Sequence, residues 1–175
     1  MSSDPGAERK DLVRIETRDG RINFVCLREE CPHSCCGPFG GVQRGIESIE
    51  GREFSEILLT PDDYRKLAAA GRLHLTEKVG NRYRMRLLED GACSALKGGM
   101  CSIHDTKPTV CRAFPFYVDM FVGLCAVTTC PGFGAGWTPV ADLVGEIEAS
   151  KKMYQHWLDQ ISTDEKPSGG ERELE

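Results

Sequence analysis

The chain has no uninterrupted apolar run of the roughly 18 residues that a membrane-spanning helix requires, which excludes a spanning helix. Its opening stretch, MSSDPGAERKD, is polar and charged and contains no apolar h-region, so no secretory signal is read there. Positive charge is also in deficit. The formal net charge is −5, whereas nucleic-acid binding normally rests on a basic domain or stripe. Arg82, Arg84 and Arg86 form a local basic repeat, but their period of two, opposite Tyr83, Met85 and Leu87, is that of a solvated strand face. There is no P-loop, G-x-G-x-x-G, G-x-S-x-G or H-E-x-x-H, and no internal repeat. Pro131 to Gly136 (PGFGAG) is a glycine-rich turn, too short a signal for a nucleotide site. These absences predict a cytoplasmic protein that binds neither membrane nor nucleic acid and shows no recognisable catalytic residue. They leave an unidentified protein or redox partner, and they leave the oligomeric state open.

What the chain does have is cysteine, nine in 175 residues. A chain of this length buries a core without covalent staples. An odd count leaves one thiol over from any closed disulfide framework, and in a reducing compartment clustered thiols bind metal rather than pair. Four crowd the first third, in Cys26-LREE-Cys31-PHS-Cys35-Cys36, and Cys93, Cys101 and Cys111 sit among Gly, Pro and Ser between Gly91 and Phe116. Cys125 and Cys130 follow. Loops that bring thiolates to one point select zinc and iron–sulfur clusters over hard cations. Cys31-x3-Cys35, Cys101-x2-His104 and Cys125-x4-Cys130 could each supply a zinc knuckle. The spacing Cys93-x7-Cys101-x9-Cys111 is too open for one, and a cluster tolerates wider separations. In extended backbone, the adjacent side chains of Cys35 and Cys36 point to opposite faces, which suits a polynuclear site. All nine cysteines are therefore candidate ligands, with an iron–sulfur cluster favoured and zinc the alternative.

Arg112, next to Cys111, is the candidate cofactor-binding residue, since a guanidinium can hydrogen-bond thiolate sulfur or offset its charge. His33 and His104 are secondary ligand candidates, Asp105 and Asp119 could orient ligands, and His74 and His156 fall outside the site.

The elements predict a mixed α+β fold, with short strands, hairpins and two main helices, and irregular loops wrapped around the cysteines. One metal-binding domain is expected over residues 11–162, with its cysteine core at 24–134, between disordered tails at 1–10 and 163–175. Leu12 to Thr17 and Arg21 to Cys26 alternate around Asp19-Gly20 and predict a hairpin delivering Cys26. Gly37 to Gly51 reads as a glycine-rich loop, and Phe54 to Leu59 as a short strand. Thr60-Pro61-Asp62-Asp63 is a helix start, with Gly71 as its stop. Strand pairs are expected over Lys78 to Leu88, turning near Gly80-Asn81, and over Phe116 to Val127, turning near Gly123. Thr138-Pro139 repeats the capping signal and predicts an amphipathic helix over 139–161.

At its cysteines the chain resembles the CxxCxxCC family, a zinc- or iron-chelating domain related to one found in flagellin lysine methylases. The resemblance is carried by Phe24-Val25-Cys26, Cys35-Cys36, Leu59-Thr60-Pro61-Asp62-Asp63, Gly91-Ala92-Cys93 and Cys101-Ser102-Ile103-His104. It is tightest over Lys107 to Phe116 (KPTVCRAFPF), close to the family's R-P-x-x-C-R-x-F/Y-P, and it closes on Cys130-Pro-Gly-Phe-Gly134. The spacing of Cys26, Cys31 and Cys35, four and three residues apart, departs from the family's two and two. The resemblance implies metal binding, usually taken as an iron–sulfur cluster. It leaves three activities in view: redox or electron transfer, a structural or storage zinc module, and a metal-dependent protein-modifying, methyltransferase-like enzyme.

Overall fold

The computed structural model describes residues 12–15, 17–27, 30–31, 35–37, 57–119, 121–127 and 130–164. The expected tails at 1–10 and beyond 164, His33, nearly all of the glycine-rich loop and the first half of the strand expected from Phe54 lie outside the described residues. Within them the chain builds small antiparallel sheets and helices, the α+β class that the sequence predicts.

Asp19 and Gly20 take positive φ, 51° and 69°, the backbone a two-residue hairpin turn needs. Thr17–Arg18 (β2) accordingly pairs with Arg21–Phe24 (β3). The first arm of the expected hairpin does not stay with it. Leu12–Arg14 (β1) joins another sheet, against Gly123–Val127 (β9), with Val13 opposite Ala126. Alternation marks a segment as half-buried but does not name its partner, so the split was invisible in the pattern. Phe116–Asp119 (β8) completes that sheet in the order β1-β9-β8. The Asp119 carboxylate accepts the Phe121 and Val122 amides at 2.8 and 2.9 Å and so closes the β8–β9 turn.

A second correction concerns Thr138-Pro139. These residues end a strand, Phe133–Pro139 (β10), which pairs with β3 in a sheet of order β10-β3-β2. The Thr138 hydroxyl donates to the Phe24 carbonyl instead of capping a helix. A 3₁₀ turn over Val140–Leu143 follows, and the α-helix (α3) runs only from Val144 to Asp164. Gly132 permits the close approach of the two strands: a Cβ there would lie 2.4 Å from the Val25 carbonyl oxygen, whose neighbouring amide, Val25 N–H, donates to Gly132 at 3.0 Å.

The middle of the chain follows its sequence signals closely. Thr60 caps Pro61–Ala69 (α1) in a capping box with Asp63, and Gly71 turns the chain at φ +68°. Thr76–Val79 (β4) and Arg82–Met85 (β5) pair around Gly80-Asn81. Residues 57–59 run beside β5 through Met85 N–H to Ile57 and Leu59 N–H to Tyr83, both 2.9 Å. Leu96–Lys97 (β6) pairs with Met100–Cys101 (β7), and Thr109–Ala113 forms a short helix (α2).

Two buried clusters result. One gathers Leu59, Leu67, Met85, Cys93, Ala95 and Ile103, with Cys36, Cys101 and Cys111 packed against it. The other centres on Ile22, Phe24, Phe116 and Leu143, where Phe24 meets Phe116 edge-on at 5.2 Å. Among the described residues no helix is long and apolar enough to cross a membrane.

Candidate metal centre

The first cluster carries the sulfurs. Cys93 is 3% exposed and pairs with Leu87 across an isolated bridge. Its amide donates to the Cys36 carbonyl at 2.7 Å, so the early double cysteine is tied by backbone to the later group. Cys101 ends β7 opposite Leu96. Cys111 is carried by α2, whose first turn is pinned by Asp63: the Thr109 amide and hydroxyl donate to its carboxylate at 3.0 and 2.8 Å. The other carboxylate oxygen accepts the Thr60 amide and hydroxyl at 3.1 and 2.8 Å. One buried side chain thus caps α1 and fixes the helix that presents Cys111.

The sulfurs act on one another. The Cys36 thiol is hydrogen-bonded to both Cys35 and Cys101. Those bonds draw Cys101 down to about 6 and Cys35 to about 7, against desolvation that opposes both, while Cys36 itself is pushed far up. Cys93 and Cys111 are raised chiefly by burial, and the nearby sulfurs of Cys35 and Cys101 add to the rise. Three of the cysteines each accept the amide two residues further along the chain. Cys93 accepts the amide of Ala95, Cys101 that of Ile103 and Cys130 that of Gly132. Amide-to-sulfur bonds favour thiolate over thiol, which is the form a metal takes.

A second, smaller group lies near the other core. Cys130 packs against that core, is raised to about 11 by burial, and feels the sulfurs of Cys31, Cys26 and Cys35. Cys35 therefore stands within electrostatic reach of both groups. Cys125 is 2% exposed in the middle strand of its sheet, opposite Arg14 and Tyr117. Among the described residues, no three His, Cys, Asp or Glu side chains close on a common point as metal ligands do. The donor set nonetheless fits a soft metal: clustered thiols, partly desolvated, with amides aimed at sulfur.

The cation beside the sulfurs is Lys107. Its charge favours the thiolates of Cys35, Cys101 and Cys111. Arg112, the cation that the sequence offers for that part, lies exposed on α2. Lys107 lies just before the Pro108 that opens α2, in the segment entering the helix that carries Cys111. His104 and His74 are exposed. Asp105 pairs with Arg72 at 2.7 Å, which holds its carboxyl below the usual range.

The family model named CxxCxxCC, described as a "putative zinc- or iron-chelating domain", matches residues 25–131. No curated protein and no solved structure matches the chain.

Proposed function

The chain belongs to the CxxCxxCC family of zinc- or iron-chelating domains, and from that premise we propose that its cysteines hold an iron–sulfur cluster used in electron transfer with a protein partner in the cytoplasm. The observation that carries the reading is the sulfur neighbourhood of Cys35, Cys36, Cys93, Cys101 and Cys111. It holds five thiols, more than one tetrahedral zinc uses, although they do not converge as a ligand set, and the vicinal pair suits a polynuclear centre better than a mononuclear one. Bound there, a cluster would supply one-electron exchange, tuned by hydrogen bonds to sulfur and by burial. The chain's own part is to hold and protect it. Burial of Cys93 and partial burial of Cys111 limit access of water, Lys107 offsets thiolate charge, and the Ala95 and Ile103 amides orient the sulfurs of Cys93 and Cys101. The Cys36 proton must leave before that sulfur can ligate, so metal uptake releases protons.

Anaerobic purification followed by elemental analysis and an absorption spectrum tests this. Brown protein with iron and acid-labile sulfide is expected. Colourless protein with stoichiometric zinc would leave a structural or storage zinc module and end the electron-transfer reading. Cys111→Ser is expected to lose metal, and Cys26→Ser to lose less. Metal content in Cys111→Ser equal to that of the unsubstituted protein would refute the site.

A further inference from the structure

We propose that Cys36 and Cys101 are a reversible redox pair, which a small disulfide oxidises in metal-free protein to an intramolecular disulfide that bars metal from the centre. The inference deepens the metal reading and rests on it for the consequence, since these two sulfurs belong to the group proposed to hold the cluster. The bond itself needs no metal to be observed.

The two residues come from distant parts of the chain, and the backbone holds each in place. The Cys36 carbonyl accepts the Cys93 amide at 2.7 Å. Cys101 is paired with Leu96 across β6 and β7, and its neighbour Ser102 donates amide and hydroxyl to the Ala95 carbonyl at 2.9 and 2.8 Å. Cys93 and Ala95, two residues apart, thus anchor both partners. The Cys36 thiol is in hydrogen-bonding contact with Cys101, and both side chains pack on the same buried cluster. Two sulfurs already in contact, each on an anchored backbone, close to a disulfide with little movement.

Other partners suit the bond less. Cys35 also touches Cys36, but adjacent Cα atoms lie about 3.8 Å apart, short of the roughly 4.4–6.8 Å that disulfides span. Cys93 is 3% exposed and shielded from a dissolved reagent, whereas Cys36 and Cys101 are half-buried.

Glutathione disulfide supplies the oxidant. The Cys101 thiolate attacks one of its sulfurs, so that a bond to Cys101 forms, the glutathione S–S bond breaks and one glutathione leaves as thiolate. Cys36, as thiolate, then attacks the Cys101 sulfur and expels the second glutathione. The protons given up by the two cysteines go to the departing glutathione thiolates. Two protein sulfurs are oxidised and one disulfide is reduced, an exchange that a thiol reductant reverses. In a reducing compartment such bonds are transient and serve redox sensing. A pair locked in this way offers no thiolate for a metal to take.

The test treats full-length, reduced, metal-free protein with glutathione disulfide and maps the product by tandem mass spectrometry without reduction. A Cys36–Cys101 link is expected as the dominant product, and Cys35→Ser is expected to keep it. In Cys36→Ser, glutathione should remain attached to Cys101. Zinc added after oxidation should bind at least about tenfold more weakly than zinc added to reduced protein, and dithiothreitol should restore binding. The bond is overturned if another pairing dominates, or if the native chain yields no more of this link than the chain denatured in guanidinium. Either result leaves the metal reading standing. The bond with undiminished zinc binding would overturn the exclusion and remove these two sulfurs from the centre. Reduced protein that binds neither zinc nor iron would refute the metal reading and the exclusion with it, leaving the bond to stand or fall on the peptide map.

Discussion

Cys101 and Cys111 are the same side chain in two electrostatic settings. Cys101 shares the Cys36 proton and accepts the Ile103 amide, so its thiolate persists down to about 6. Cys111 is desolvated and faces the neighbouring sulfurs, so it keeps its proton. Thiolate is the reactive form. In metal-free protein, iodoacetamide should therefore label Cys101 above about pH 6, with labelling falling as pH drops through that value, while Cys111 stays unlabelled near neutrality. Peptide mass spectrometry across a pH series reads this directly, and equal labelling of the two near neutrality would contradict it. At this scale the sequence offers Arg112 as the neighbouring cation, and the structure adds Lys107, whose charge acts on Cys35, Cys101 and Cys111. Adjacency in the chain puts Arg112 beside Cys111, whereas α2 leaves Arg112 exposed, and the charge felt at Cys111 comes from Lys107 in the segment leading into the helix.

Among elements, the joint between α1 and α2 does the most to shape the site. Asp63 is 2% exposed and accepts four bonds, two from Thr60 and two from Thr109. A carboxylate has two accepting oxygens. An amide has one, so Asp63→Asn would confront one pair of donors with another donor. Loss of about 2 kcal/mol in chemical denaturation is expected, in the range for unsatisfied buried groups and lost caps, together with weaker metal retention because the Cys111 helix is released. Unchanged stability and metal content would remove Asp63 from this role. The β3–β10 pair makes a second demand. Gly132→Ala would place a methyl 2.4 Å from the Val25 carbonyl, and a loss of about 1–3 kcal/mol follows from overpacking, measurable as a lowered melting temperature. The Thr60-Pro61 start of α1 was legible because capping is local chemistry. The same signal at Thr138-Pro139 misled because the hydroxyl found a partner 114 residues away, the Phe24 carbonyl.

For the molecule as a whole, the two cores predict unequal dependence on metal. The first is packed by Cys36, Cys101 and Cys111 around Cys93, while the second rests on Phe24, Phe116 and Leu143 with one cysteine at its margin. Metal binding to clustered thiolates is coupled to folding, so chelation should loosen the first core more. Hydrogen exchange would show this as faster exchange at Met85 and Ser94, whose amides donate to Ile57 and Arg86, than in the β8–β9 pair. Uniform exchange after metal removal would mean that the two cores do not respond separately.

By itself the sequence determined the soft-metal chemistry, the α+β class, the α1 cap and the turns at Asp19-Gly20, Gly80-Asn81 and Gly123. Each of these rests on residue type or on contacts between near neighbours in the chain. Only the tertiary structure decided that β1 leaves its expected hairpin, that β10 stands where a helix start was signalled, that Cys36 joins Cys93 and Cys101, and that Lys107 faces the sulfurs. Such pairings join residues far apart in sequence, and their free energy comes from burial and complementarity that no local pattern encodes.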